Sequence, residues 1–137
     1  MARTNTKYMS LDVGTVRTGV ALADSTVRIA VPLETFAMDE NTFDRVVTEL
    51  VDRHSIDKIV VGYPRNQGGE VTEQTKYVER MVKLLSTSSK VVYQDESLTS
   101  VIAKERLKSK VKTHRRYTVD AEAAAIILQD YWSCTDE

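Results

Sequence analysis

Residues Tyr8-Met-Ser-Leu-Asp12-Val-Gly14-Thr-Val-Arg17-Thr-Gly19-Val-Ala-Leu-Ala23 decide the fold. Tyr8 to Val13 is an apolar run that closes on Asp12-Val13-Gly14-Thr15, a turn signal. Arg17 to Ala23 resumes the extended pattern, and Asp24-Ser25 supplies the next turn. Val27 to Phe36 forms a third extended segment, in which Pro32 predicts a bulge or an edge position. Three strands joined by short turns read as an antiparallel meander.

The period then changes. Phe43, Val46, Val47, Leu50 and Val51 recur at helical spacing and predict a helix with one apolar face, which is core. Lys58 to Tyr63 is a β-branched strand, followed by the loop Pro64 to Gly69. A helix is expected from about Thr72 to Ser86, with Val78, Met81, Val82 and Leu85 on one face. Val91-Val92-Tyr93 opens a fifth strand ending at Asp95-Glu96. Thr99 can cap a helix running to about Ser109, and Thr118 a last one over Val119 to Trp132. The order β-β-β-α-β-α-β-α-α predicts an α/β fold: a mixed five-stranded sheet with helices on both faces. There is no internal repeat, and residues 1–137 are expected to form a single domain.

Composition bounds the function. Nineteen Lys plus Arg against 20 Asp plus Glu leave a net charge of −1, which excludes a uniformly basic nucleic-acid coat and an acidic disordered tail. Cys134 is the one cysteine, and there are two histidines. A Cys-rich zinc site and an internal disulfide are therefore excluded, and a reducing compartment is indicated. Met1 to Lys7 is polar, without the apolar stretch of a secretory signal, and no apolar run approaches a membrane span. A cytoplasmic protein with no membrane partner is expected.

Ligands of open α/β sheets gather at the carboxyl ends of the parallel strands. Those ends carry Asp12, Gly62-Tyr63-Pro64 and Asp95-Glu96, and the last helix adds Asp120 near its start. Carboxylates far apart in sequence could converge there, and oxygen ligands suit Mg²⁺ or Mn²⁺. Such clusters recur in phosphodiester cleavage. Each residue also has a bland alternative. Asp12 could simply form the turn, and Glu96 or Asp120 could favour a helix start through the dipole. Asp95 and Glu96 are adjacent, so on a strand they point to opposite faces, and spacing alone does not choose between them.

The densest charge lies at residues 104–116. Lys104, Arg106, Lys108, Lys110, Lys112, Arg115 and Arg116 against Glu105 give +6, which leaves −7 for the rest. A cationic segment leading into Asp120 fits a polyanionic substrate, although Lys and Arg also favour helix C-termini. His114 within it reads as a surface or phosphate-facing residue. The loop from Gly62 through Asn66 to Gly69 could offer backbone N–H groups to a phosphate, or be an ordinary glycine-rich turn.

Four segments in order resemble the motifs of the YqgF/RuvX family. They are Asp12-Val-Gly-Thr-Val-Arg17-Thr-Gly19-Val-Ala21, Gly62-Tyr-Pro64-Arg-Asn66-Gln-Gly68, Asp95-Glu96-Ser-Leu98-Thr99 and Asp120-Ala-Glu-Ala123-Ala124-Ala-Ile-Ile127-Leu128-Gln. The resemblance covers about Tyr8 to Trp132. It implies an RNase H-like fold, shared with Holliday junction resolvases. The family is generally described as nucleases for the 5′ end of precursor 16S rRNA, and its members have also been named Holliday junction resolvases. The resemblance implies Asp12, Glu96 and Asp120 as catalytic and metal-holding residues, with Asp95 auxiliary and Mg²⁺ or Mn²⁺ as cofactor. One position departs from the family: Ser97 stands where a basic residue usually follows the Asp-Glu pair, which puts a phosphate contact in doubt there.

The leading expectation is a metal-dependent nuclease acting on structured RNA, precursor 16S rRNA in ribosome biogenesis. Arg17, Asn66, Lys108, Lys110, Lys112, Arg115 and Arg116 would hold phosphates. The same site could act on four-way DNA junctions, which would require a dimer; nothing in the sequence marks a dimer interface, so a monomer is expected. A third reading is a non-catalytic RNA-binding factor with ribosome-assembly partners. A fourth rests on the Asp-Val-Gly-Thr turn, which also looks like the phosphate-binding hairpin of actin-like ATPases and sugar kinases. Those proteins use two such domains, and this chain has room for one.

Overall fold

A computed structural model describes residues 5–65, 68–96 and 116–134. Its strands are β1 (Lys7–Val13), β2 (Arg17–Asp24), β3 (Val31–Ala37), β4 (Lys58–Tyr63) and β5 (Lys90–Asp95). The helices are α1 (Phe43–His54), between β3 and β4, α2 (Glu73–Lys83), between β4 and β5, and α3 (Arg116–Cys134), after β5. The helix expected from Thr99 to Ser109 lies outside the described residues. The sheet order is β3-β2-β1-β4-β5. β1 pairs antiparallel with β2 and parallel with β4, and β4 pairs parallel with β5. This is the expected mixed sheet: a meander on one side of β1 and parallel strands on the other.

β1 is the central strand, and its residues alternate between two cores. Met9, Leu11 and Val13 face α1 and α2, where they join Phe43, Val47, Leu50, Ile59, Val61, Val78 and Met81. Burying a side chain such as Phe43 fully contributes about 1.5–3 kcal/mol. Tyr8 faces the other way and packs with Val60, Ile127, Leu128, Tyr131 and Trp132 under α3. The Trp132 ring meets Tyr8 edge-on, with centroids 5.4 Å apart.

Local chemistry sets the element ends. Thr72 caps α2 and exchanges bonds with Thr75 in a capping box. The Thr75 hydroxyl also donates to the Pro64 carbonyl, which ties the loop after β4 to the start of α2. β3 is an outer strand, and its register with β2 shifts between Val20 and Ala21, whose partners are Glu34 and Pro32. Pro32 thus lies at a bulge on an edge, where its missing N–H breaks no interior ladder.

Three boundaries differ from the sequence reading, the simplest being the end of α2, at Lys83 and not at about Ser86. β3 begins at Val31, not Val27, because the Asp24 carboxylate accepts from the N–H groups of Thr26 and Val27 at 3.0 and 2.9 Å and holds them in a turn. Arg28 then takes a left-handed φ of 58°. Thr118 is not a cap: α3 already begins at Arg116, inside the basic stretch. Among the described residues no helix is long and apolar enough to cross a membrane.

Candidate active site

The same alternation that splits the core places the acidic residues. Tyr8, Ser10 and Asp12 share the α3 face of β1, and Asp12 ends that row, half-buried, at the strand's carboxyl end. On β5, Val92 packs under α3 and Gln94 continues that row, its amide donating to Cys134 Sγ at 3.6 Å. Glu96 follows directly after the strand. Its Oε1 lies 3.3 Å from the point where a Cβ on Gly62 would stand, beside the Ile127 side chain of α3. Asp95 turns the other way: it is exposed and pairs with Arg65 at 3.1 Å. The adjacent carboxylates therefore separate as strand geometry requires, with Glu96 on the α3 side.

Asp120 reaches this end of the sheet because small residues line α3's path across it. A Cβ on Gly19 would lie 1.9 Å from the Asp120 carbonyl oxygen and 2.8 Å from the Ala121 nitrogen. Only a residue without a Cβ lets the helix backbone approach β2 so closely. Gly19 is the register partner of Asp12, so this contact brings the first turns of α3 level with Asp12. On β1 the Ser10 hydroxyl donates to the Ala124 carbonyl at 2.6 Å, deep in the interface. On β4, Gly62 makes room for Ile127. A row of apolar side chains interrupted by Ser10, Gly19 and Gly62 was the sequence signal for this seat.

Arg17, at the start of β2, donates through Nε to Asp120 Oδ2 at 2.7 Å. Asp120 is 7% exposed, so this charge-assisted bond forms in a largely dry setting. The β1–β2 turn that presents Arg17 is closed by a bond from the Gly14 N–H to the Arg17 carbonyl at 3.0 Å. Tyr77 and Gln74 of α2 donate to the carbonyls of Gly14 and Val13 at 3.3 Å each, steadying the same turn from below.

Asp12, Glu96 and Asp120 thus share one face and one end of the sheet. Among the described residues, no three Asp, Glu, His or Cys side chains stand close enough together to hold one ion. Asn66, Lys108, Lys110, Lys112 and Arg115 lie outside the described residues, and Arg116 opens α3. A shallow groove of about 380 Å³, lined by Lys7, Ala23, Val27, Ile29 and His54, is at the opposite end of β1 and has no part in this site.

The donor set fits a divalent cation in kind. Asp12, Glu96 and Asp120 offer hard carboxylate oxygens and no sulfur or imidazole, which suits Mg²⁺ or Mn²⁺. Arg17 already satisfies one oxygen of Asp120, so a cation there would share that carboxylate with a guanidinium.

A mixed sheet of this order, flanked by helices on both faces and carrying acidic residues at the carboxyl ends of its parallel strands, is the RNase H-like fold. T. thermophilus RuvC, solved in complex with a Holliday junction substrate, has the same architecture, with a TM-score of 0.60 at 17% identity over 94% of this chain and 96% of that one. A family model described as RuvX, Holliday junction resolvase, matches residues 6–133, and the chain belongs to that family. Curated relatives agree along nearly their whole length. A protein of Salinibacter ruber is 42% identical over 137 residues, covering 94% of each chain. One of a Sulfurihydrogenibium species is 33% identical over 129 residues, covering 91% of this chain and 88% of that protein. Both are named "Putative pre-16S rRNA nuclease".

Proposed function

We propose that this chain is a divalent-metal-dependent nuclease that trims the 5′ end of precursor 16S rRNA during ribosome biogenesis. The observation that carries this reading is the placement of Asp12, Glu96 and Asp120 on one face, at one end of the sheet, from three distant parts of the sequence. The names of its full-length relatives supply the substrate class. In this reading Asp12, Glu96 and Asp120 draw together around Mg²⁺ or Mn²⁺ as it binds, while Asp95, expected as an auxiliary ligand, faces the other way toward Arg65 and takes no part. A cation held there would make water a nucleophile at neutral pH and offset charge on the scissile phosphate. Arg17, Asn66 and the basic positions Lys108, Lys110, Lys112, Arg115 and Arg116 hold the flanking phosphates. Arg17 also orients Asp120. Residues 1–137 work as one nuclease domain, as a monomer and with ribosome-assembly partners. The exposed free thiol of Cys134 suits the reducing cytoplasm.

A parallel cleavage assay tests this. Wild type and Asp12→Asn are incubated with precursor 16S rRNA, plain single strands and a four-way DNA junction, in Mg²⁺ or Mn²⁺. Wild type should cleave the precursor near its mature 5′ end, and Asp12→Asn should lose at least a hundredfold in rate at unchanged thermal stability, on the order of what removing one electrostatic group from such a site costs. Equal cleavage by the two proteins would remove Asp12 from the site. The family's description supports a second reading, in which the substrate is a DNA junction. That reading requires paired active sites, so a monomer by light scattering with junction DNA bound would exclude it.

A further inference from the structure

The α2 side of the sheet carries an aromatic cluster that the carboxylate site does not use. Tyr63 ends β4 and Tyr93 lies on β5, with ring centroids 4.8 Å apart and planes inclined at 52°. The Arg65 guanidinium lies 4.9 Å from the centre of the Tyr63 ring. Its Nε bonds Asp95 at 3.1 Å, and the Tyr63 hydroxyl donates to Glu79 of α2 at 3.0 Å. Glu79 and Arg65 thus fix Tyr63, and Tyr63 backs Tyr93. Tyr93 itself is 42% exposed on the outer strand β5.

Position gives this exposed ring a use. Tyr93 is three residues before Glu96, about 10 Å along an extended chain. It lies on the opposite face of β5, so a strand leaving the carboxylates over the end of β5 would descend onto it. A ring held from behind and open in front is a stacking surface, and every nucleobase has a π-face to offer. A paired base keeps its faces inside the duplex, so the fitting ligand is an unpaired one. Building on the nuclease reading, we infer that Tyr93, backed by Tyr63 and Arg65, stacks an unpaired nucleobase of the single-stranded segment flanking the scissile phosphate. Arg65 is placed to add a phosphate contact, since its partner Asp95 is 60% exposed and such a pair is readily exchanged.

Fluorescence anisotropy on the full chain tests this. Asp12→Asn serves as the non-cleaving parent, and the probes are an RNA duplex that is blunt, one with a short single-stranded extension, and one whose extension is abasic. The parent should bind the extended duplex about tenfold more tightly than the other two, the range of one stacked base. Adding Tyr93→Ala should erase that preference, and Tyr93→Phe should keep it. Tyr93→Ala should leave the salt dependence of binding unchanged because a tyrosine neutralises no phosphate, whereas Arg65→Gln should reduce the slope by about one charge. Thermal melts of each variant check the fold. Equal affinity of the parent for the extended and abasic probes would overturn the inference. So would a Tyr93→Ala weakening that is the same for all three probes, which is the mark of a packing role. The nuclease reading fails on a different result: unimpaired cleavage by Asp12→Asn.

Discussion

Gly19 leaves less room for a side chain than Gly14 or Gly62 does. Its α hydrogen faces the backbone of Asp120 and Ala121, and a methyl group would lie 1.9 Å from a carbonyl oxygen. A flexible side chain could yield, but a helix backbone must move as a whole. Gly19→Ala should therefore cost at least the ~3 kcal/mol at the upper end of overpacking. It should lower the denaturant midpoint at unchanged m-value and weaken cleavage, because α3 would carry Asp120 away from Asp12. Ser10→Ala, which removes only the hydroxyl bond to Ala124, should cost about 1 kcal/mol and leave cleavage near normal. A Gly19→Ala midpoint within error of wild type would show that α3 tolerates displacement. Sequence reasoning placed Asp12, Glu96 and Asp120 at strand ends and at a helix start. It could not see that Arg17 bonds Asp120, because a contact between residues 103 apart depends on how α3 crosses the sheet.

Among the elements, β4 was fully legible: six residues, Lys58–Tyr63, β-branched and apolar on both faces, as a buried parallel strand should be. β3 was less so. Val27, Ile29 and Val31 alternate like a strand, yet the first two are exposed and lie outside it, because the side chain of Asp24 captures the backbone first. The link between α1 and the segment after α2 was also invisible in sequence. Asp44, in the first turn of α1, accepts from the Ser86 N–H and hydroxyl, each at 2.8 Å. These bonds, the backbone one foremost, hold the Asp44 carboxyl below its ordinary range, with a smaller contribution from the Thr48 hydroxyl. A carboxyl lowered on folding stabilises the fold above its unfolded-state pKa, and that contribution is lost as pH falls through the folded value. The stability difference between wild type and Asp44→Asn should thus be flat from neutral pH to about 5 and shrink below about 4. Urea melts across this range would measure it, and a difference that persists unchanged at the acid end would show that the bonds do not depend on the charge.

Over the whole molecule, the near-zero net charge resolves into opposed parts. Residues 104–116 carry +6 and lead directly into α3, which delivers Asp120 to the sheet end where Asp12 and Glu96 also stand. A cationic segment chained to an acidic site suits a polyanion: the segment attracts the phosphates, and bound cations offset the carboxylates that would otherwise repel them. This makes a quantitative expectation. Binding to RNA should weaken with salt along a log–log slope set by the number of phosphates neutralised. Replacing Lys108, Lys110 and Lys112 together by Gln should lower that slope by about two, at ~0.7 for each single-strand phosphate no longer neutralised. Arg17→Gln should act differently. Arg17 already holds Asp120, so removing its charge should reduce cleavage more than it reduces the salt slope. Titrations from low to physiological salt, beside cleavage rates for the same variants, separate the two roles. A triple Lys variant with the wild-type slope would move the phosphate-binding surface away from residues 104–116.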